Sequence, residues 1–430
     1  MKYQIITYGC QMNRSDSERI AAVLENIGYS PASNINEADL ILVNACSVRQ
    51  SAIDRIWGLI PKFDKLKAEN KNLKTVLTGC LLKKDKRKFA KKPAPHRAGG
   101  SGAGFDLVFD IKNILKLPEF LKKNEVSIPC NNYLEVKPKY STNFTAYVPI
   151  MTGCNNFCAF CVVPYTRGRE ISRSAEKILE EAEGLIKKGC KEIWLLGQNV
   201  NSYNSNGVKF PELLKKINNI PGDFWIRFTS SHPKDFSDEL IEVMAQSEKV
   251  TEYLNLPVQS GDNEVLKKMN RPYAIDYYKD LVKKIRKKIP DITLSTDVMV
   301  GFPGETEKQF QNSVNLFKEI KFDMAYISQY SPRPETAASR LEDNISHREK
   351  EKRWKILADI LKETALEKNK RYIGRTVEVL PAERKNGFLI GKTRAYKTVR
   401  FEGSENLIGN FVKVKILEAL PWGLKGGIAK

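Results

Sequence analysis

Apolar residues recur along this chain in two alternating patterns: short continuous runs, and longer stretches spaced as on one face of a helix. KYQIITYG, at the start, is a short apolar run and predicts a strand. In the stretch that follows, Ile20, Val23, Leu24 and Ile27 fall on one helical face, with Asn13, Ser15 or Asp16 as candidate caps. ADLILVNA predicts a second, buried strand, Ser51 to Asn70 a second helix, LKTVLTG a third strand and FDLVFDI a fourth. A helix from about Asn113 to Lys123 completes the series. Strand then helix, repeated over residues 1–125, is the pattern of a parallel α/β domain. One stretch interrupts it. KKDKRKFAKKPAPHRAGGSGAG is basic in its first half and Pro-, Gly-, Ser- and Ala-rich in its second, the composition of a flexible loop insertion.

Residues 126–145 predict a linker, after which the alternation resumes. AYVPIM, EIWLLG, WIRFTS, YLNLPV, LSTDVMVG and MAYISQY are strand candidates with helical stretches between several of them, which fits a partial or full α/β barrel over residues 146–369. His347 to Lys370 is a charged, amphipathic connecting helix. Residues 370–430 change character: TVEVLPAE, GFLIGKT, YKTVRFEG and FVKVKILEAL are short strands separated by Gly and Asn turns, the pattern of a small all-β barrel, OB-like in kind. The expected fold class is α/β: an N-terminal parallel α/β domain, a central partial (β/α) barrel and a small C-terminal all-β barrel.

A length of 430 residues supports two or three such domains. Apolar residues make up 41% of the chain, enough for real cores, yet no run of about 18 of them occurs, so no membrane span is expected. The N-terminus lacks the basic, apolar, then small pattern of a signal peptide, and a cytoplasmic protein is expected. The formal net charge of +20 points to a polyanionic partner, most commonly nucleic acid. Residues 371–430 alone hold twelve Lys and Arg against five Asp and Glu. A small basic β-barrel suits RNA or single strands, the alternative being a capping domain with a solvated face. Eight cysteines in a cytosolic chain point to metal or redox chemistry rather than to disulfides.

Three of them, Cys154, Cys158 and Cys161, stand in GCNNFCAFC. Thiolates suit zinc or iron–sulfur clusters. A structural zinc site closes with four ligands. Here the next cysteine is Cys190, and the three histidines, His96, His232 and His347, are distant in sequence. A cubane held by three cysteines keeps one iron open, a Lewis-acid position for substrate or cofactor. The loop follows the strand candidate AYVPIM, and catalytic loops of α/β barrels sit at the C-terminal ends of their strands. A second set looks scattered, but IITYGC, LILVNAC and TVLTGC each end an apolar run in a cysteine: Cys10, Cys46 and Cys80. In a parallel sheet all such ends lie on one edge, so the three converge. The bland alternative is three isolated buried thiols. Cys130, in IPCNN, and Cys190 read as structural thiols.

The three-cysteine spacing, with Phe160 just before the last cysteine, resembles the radical S-adenosylmethionine superfamily. YGCQMNRSDSE, NACSVRQ and TGC together with GCNNFCAFCVVPYTRGRE, LLGQNVNSY, LPVQSGDNEVLKKMNR and STDVMVGFPGET resemble its methylthiotransferase family, and the basic C-terminal barrel resembles that family's TRAM domain. The likeness covers nearly the whole chain and is closest to the MiaB branch, which acts on isopentenylated adenosine beside the tRNA anticodon. The resemblance implies two [4Fe-4S] clusters, on Cys154, Cys158 and Cys161 and on Cys10, Cys46 and Cys80, with S-adenosylmethionine bound at the open iron of the first. One cofactor molecule would methylate sulfur held at the N-terminal cluster; a second would be cleaved to a 5′-deoxyadenosyl radical that activates the adenine C2–H.

Cofactor contacts are expected at the strand ends: Gly197, Gln198 and Asn199 after WLLG, Gln259 and Ser260 after NLPV, and Gly301 and Glu305 around the turn after DVMV, although each glycine could equally serve a turn. Arg167, Arg169 and Arg173 could meet a carboxylate or an RNA phosphate, or pair with Glu170 on a surface. No catalytic residue is assigned beyond the cluster ligands. The implied partners are tRNA through its anticodon loop, an electron-donor protein and a sulfur donor, and a monomer is expected. Two departures stand out: Ala45 where the family carries Thr, and PAPHRAGGSGAG, which has no family counterpart. The alternatives are a sister methylthiotransferase, acting on threonylcarbamoyl-adenosine or on a ribosomal-protein aspartate, and a non-catalytic RNA-binding protein with structural zinc.

Overall fold

The computed structural model describes residues 1–47, 50–90, 104–122 and 132–429, which group into two compact units. The Pro- and Gly-rich insertion, apart from Gly104, and Cys130 lie outside the described residues. The first unit comprises residues 1–141, 152–171 and 331–339; the second, 142–151, 172–330 and 340–430.

The first unit is built on a parallel five-stranded sheet in the order Ser30–Pro31, Lys2–Tyr8, Leu40–Cys46, Lys74–Cys80, Leu107–Val108. Leu40, Ile41, Leu42 and Val43 are all fully buried, which is why the central strand reads as an unbroken apolar run: a parallel strand is covered on both faces. Ile53, Ile56, Ile60 and Phe63 line one face of the helix Gln50–Glu69 and pack against that strand. Each such buried side chain contributes about 1.5–3 kcal/mol.

Two expectations are corrected here. The first helix runs from Gln11 to Asn26 with Cys10 as its N-cap, joined to Asn13 in a reciprocal capping box. Ser15 and Asp16 lie inside the helix and are buried, held there by arginines rather than acting as caps. The expected helix over 113–123 is instead a 3-10 turn, Ile111–Lys116, and one α-turn, Leu117–Phe120. Pro118 has no N–H to give to a ladder continuing from the turn before it, and stands at the start of the α-turn, where none is needed.

In the second unit six parallel strands follow one another in chain order: Thr145–Pro149, Glu192–Leu196, Trp225–Phe228, then Tyr253–Asn255, Thr293–Val300 and Met324–Gln329. A parallel bridge between Ile226 and Val250 joins the two halves. The helix His347–Lys370 is as expected. A closed five-stranded barrel follows, in the order Thr376–Lys385, Phe388–Thr393, Thr398–Phe401, Gly423–Ile428, Val412–Leu420, around Val379, Leu389, Val399, Phe401, Val414, Ile416 and Leu424. Gly423–Ile428 was not anticipated, because GLKGGI is too rich in glycine to read as a strand. Among the described residues no helix is long and apolar enough to cross a membrane.

Buried ion pairs tie this small barrel to the central one. The Arg227 side chain is fully buried; its Nε donates to Glu192 Oε1 at 2.6 Å, and its two Nη atoms donate to Thr251 Oγ1 and to the carbonyls of Thr393 and Arg394. Asp323 accepts from Lys368 Nζ at 2.7 Å and from Lys397 Nζ at 2.9 Å. Burial alone would push the Asp323 carboxyl up, but the ammonium groups of Lys397 and Lys368 outweigh it and hold it below the ordinary carboxylate range. Its contribution to stability is therefore complete above about pH 4 and is lost as pH falls through the lowered native value. Asp323→Ala leaves two buried lysines unpaired and should lower stability by about 3–5 kcal/mol at pH 7, with a smaller deficit at pH 3. Urea unfolding at both pH values checks this; an equal deficit at each would contradict it.

Candidate metal centres

Parallel pairing carries the three scattered cysteines to one edge. Cys46 and Cys80 are the last residues of neighbouring strands and stand directly opposite each other in register. Cys10 follows the adjoining strand by two residues, after Tyr8, which is paired with Ala45. Gly79 faces Ala45 with φ of +117°, and a Cβ there would lie 2.1 Å from the Ala45 carbonyl oxygen, so the strands approach more closely at this point than a side chain permits.

Polar groups that the sequence reading did not place beside these thiols surround them. Asn13 Oδ1 accepts from the Cys10 amide at 3.3 Å, and Asn13 Nδ2 donates to Asn44 Oδ1 at 3.1 Å. Asn44, fully buried, donates to the Asn13 carbonyl at 2.7 Å. An asparagine inside LILVNAC was the available signal, since a buried strand does not hold a polar side chain without a partner. The helical turn Val163–Thr166 ends at Arg167, whose fork closes the edge. Its Nε donates to Cys80 Sγ at 2.9 Å, Nη1 to the Tyr133 hydroxyl at 3.2 Å and Nη2 to Asp16 Oδ2 at 2.5 Å.

Hydrogen bonding to Cys46, then burial, pushes the Cys80 thiol up, and Arg167 opposes both. Cys10 keeps an exposed face, yet the protein around it and the Cys80 thiol push its pKa up as well, again against Arg167. Thiols raised in this way are poor free thiolates, whereas a bound metal takes them deprotonated.

The loop Cys154–Cys161 is fixed by its own backbone. The Cys154 amide donates to the Gly168 carbonyl at 3.2 Å and the Cys161 amide to the Cys158 carbonyl at 2.9 Å. The Ala338 amide binds the Ala159 carbonyl at 2.7 Å, and the Arg169 guanidinium lies 4.3 Å from the centre of the Phe157 ring. Burial raises the Cys154 thiol. All six cysteines are free of disulfides. Among the described residues no group of three or more His, Cys, Asp and Glu closes around a single ion. Three thiols per group with no histidine is a donor set that fits an iron–sulfur cluster, whose thiolate ligands stand farther apart than those around one ion, better than zinc. Cys190 is buried and donates to the Glu192 carbonyl at 3.3 Å, and burial raises its pKa to about 11, which suits a structural thiol.

The strand-end residues of the second unit serve different ends. Gly197, Gln198 and Asn199 follow Glu192–Leu196; Gln259 and Ser260 come after Tyr253–Asn255, and Gly301 directly after Thr293–Val300. Gln259 adopts φ of +69°, with its amide bound to the Asp297 carbonyl. Ser260 is buried and its hydroxyl accepts from the Asp262 amide. Glu305 braces the turn: Oε2 accepts from the Gly301 amide at 2.8 Å and from Arg353 at 2.9 Å. Asn199 Nδ2 holds Asp235 at 2.7 Å. Asn199 Oδ1, with Ser231 Oγ and His232 Nε2 at the end of the next strand, is buried without a partner in the protein. Such atoms are free to meet a polar ligand. Burial, with Arg271 and Lys234, pushes the His232 imidazole far down, so it is neutral. Of the arginines considered, Arg167 meets a carboxylate, Asp16, and Arg173 pairs with Glu181 at 2.7 Å.

Comparison with known proteins adds three family matches: Radical SAM superfamily over residues 148–317, Uncharacterized protein family UPF0004 over 2–98 and TRAM domain over 370–429. The chain is 42% identical to a tRNA-2-methylthio-N(6)-dimethylallyladenosine synthase of Thermoanaerobacter sp. (strain X514), over 100% of this chain and 93% of that protein. It is 40% identical to the synthase of the same name from Clostridium novyi (strain NT), over 99% and 96%. Among solved structures, the radical S-adenosylmethionine methyltransferase TsrM from Kitasatospora setae superposes with a TM-score of 0.54 at 14% identity, over 79% of this chain and 75% of that one, a likeness of fold.

Gly153 has φ of +80°, and a Cβ on it would sit 2.0 Å from the Arg169 carbonyl oxygen. Gly153→Ala should strain the loop backbone by about 1–3 kcal/mol. Iron retained per chain after anaerobic reconstitution should fall toward half, while Gly184→Ala, where a Cβ meets nothing within 4 Å, keeps it. Equal iron in both variants would contradict the loop's role as a ligand frame.

Proposed function

The chain belongs to the family of the tRNA-2-methylthio-N(6)-dimethylallyladenosine synthases, and from that membership we propose that it adds a methylthio group to C2 of N6-isopentenyladenosine next to the tRNA anticodon, using two [4Fe-4S] clusters. The observation that carries this reading is the meeting of Cys10, Cys46 and Cys80 at one sheet edge in a chain that also holds the Cys154–Cys158–Cys161 loop. A second triad provides the separate place for sulfur that a sulfur-inserting radical enzyme needs. When bound, the loop cluster and S-adenosylmethionine supply the 5′-deoxyadenosyl radical, and the N-terminal cluster supplies the place where sulfur is held.

The chain's own residues do the rest. Cys154, Cys158 and Cys161 would hold one cluster and Cys10, Cys46 and Cys80 the other, and three ligands each would leave one iron without a protein ligand. Gly197, Gln198, Asn199, Gln259, Ser260 and Gly301 would frame the cofactor at the strand ends, and the unpartnered atoms of Asn199, Ser231, His232 and Glu305 are polar contacts available there. Glu305 acts on that frame through the Gly301 amide. RNA is held by the C-terminal barrel, where Lys413 and Lys415 lie on the exposed side of one strand and Trp422, 60% exposed, sits at the turn into the next. Exposed aromatic and cationic groups together suit a backbone with accessible bases. An unpaired loop presents the target base at least cost.

Anaerobically reconstituted protein should hold about eight irons per chain. Cys158→Ala should abolish release of 5′-deoxyadenosine under reductant, and Cys46→Ala should keep that release but lose sulfur insertion. Nucleoside mass spectrometry of tRNA from a deletion strain should show the methylthio-isopentenyl nucleoside missing; its persistence at the parental level would refute the substrate.

A further inference from the structure

Arg167 is a feature of the N-terminal edge that the cluster ligands do not account for. Its side chain is 2% exposed and its partner Asp16 1% exposed. The fork spends one arm on the carboxylate, one on the Tyr133 hydroxyl, and aims Nε at Cys80 Sγ from 2.9 Å. That is a short distance for a bond to sulfur, and a guanidinium so held cannot turn away. The guanidinium touches the sulfur directly, and its charge outweighs that of Asp16 there, so the pair keeps a net positive field at Cys80. Arg167 also belongs to the segment that carries Cys154, Cys158 and Cys161, and thus joins the two cysteine sets covalently on one side and by a hydrogen bond on the other.

We infer that Arg167 is a positioning residue that orients the Cys80 thiolate and, through its N–H and its charge, raises the reduction potential of the cluster held by Cys10, Cys46 and Cys80. Donation to a ligating sulfur withdraws electron density from the iron, and a buried positive charge favours the more negative, reduced state. Asp16 works against this, and its neutralisation strengthens the effect of Arg167. The N-terminal cluster is therefore easier to reduce than its three thiolates alone would make it.

The inference rests on the reading of Cys10, Cys46 and Cys80 as cluster ligands, and the experiment separates the two. The parent is the full chain carrying Cys154→Ala, Cys158→Ala and Cys161→Ala, reconstituted anaerobically, with the midpoint potential read by electron paramagnetic resonance in a redox titration. About four irons per chain in the parent are expected; their absence overturns both the ligand reading and the inference. With Asp16→Asn and Arg167→Gln together, so that no buried charge is left unpaired, the ratio of reduced to oxidised cluster at a fixed potential should fall about tenfold, about 59 mV for a one-electron couple. With Asp16→Asn alone the potential should rise. A merely structural role for Arg167 moves the melting temperature but does not give opposite signs. An unmoved potential in the double variant, with about four irons still bound, overturns the inference and leaves the ligand reading standing. If the double variant does not fold, Asp16→Asn decides alone: an unmoved or lowered potential overturns the inference.

Discussion

Parallel strands end together, and the chemistry of the first unit depends on that constraint. Because Leu40–Cys46 and Lys74–Cys80 pair in register to their last residues, two cysteines far apart in sequence are forced to face each other. The third arrives through the capping of a helix: Cys10 stands where Lys2–Tyr8 hands over to Gln11–Asn26, and the capping box with Asn13 fixes its backbone. A slip of one residue in any of these pairings would turn a thiol to the opposite face of the sheet. Asn44, buried in the same strand and bonded to Asn13 and Ser17, opposes such a slip, so the buried strand and the cysteine-bearing edge are specified together.

This shared specification explains what could be read from the chain. A cysteine that closes an apolar run is placed by the run, so Cys10, Cys46 and Cys80 were legible as an edge, and Cys154, Cys158 and Cys161 by their spacing. The six strands of the central barrel and the helix His347–Lys370 were legible for the same reason, since their periodicity is local. Asp16 was misread as a cap because its partner, Arg167, lies 151 residues along the chain and no local pattern announces it. Arg167 itself was seen only as a cation that could meet a carboxylate or a phosphate. Gly423–Ile428 was invisible because its place in the closed barrel comes from its neighbours on either side, Thr398–Phe401 and Val412–Leu420, and not from its own side chains.

The strand ends of the second unit show a different kind of limit. Glycines and polar residues after a strand mark a place where a ligand can approach, but not which atoms meet it. Glu305 looked available; its Oε2 is taken by Gly301 and Arg353, while Oε1 is buried without a partner. His232 was passed over as a metal ligand too distant in sequence, yet it leaves Nε2 unpaired beside a strand end. Hydrogen-bond satisfaction distinguishes single atoms rather than residues, and it is a property of the folded chain.

Arg167 and Arg227 follow one logic in separate units. Each is buried, each spends its fork on a carboxylate and on groups from distant segments, and neither is the cheapest way to fill its space. A buried ion pair gains little over apolar residues of similar volume, because desolvation offsets the attraction. What the guanidinium adds is direction: five donors in a rigid plane admit few arrangements of the partners. For Arg227 the result is a fixed seat for the loop at Thr393 and Arg394, and with it one orientation of the small barrel on the central one. For Arg167 it is a fixed position for one sulfur among three. A thiolate ligand placed by packing alone could drift with the side chains around it, whereas one held by a charged, planar donor keeps both its place and its electronic character whenever the surrounding backbone is in register.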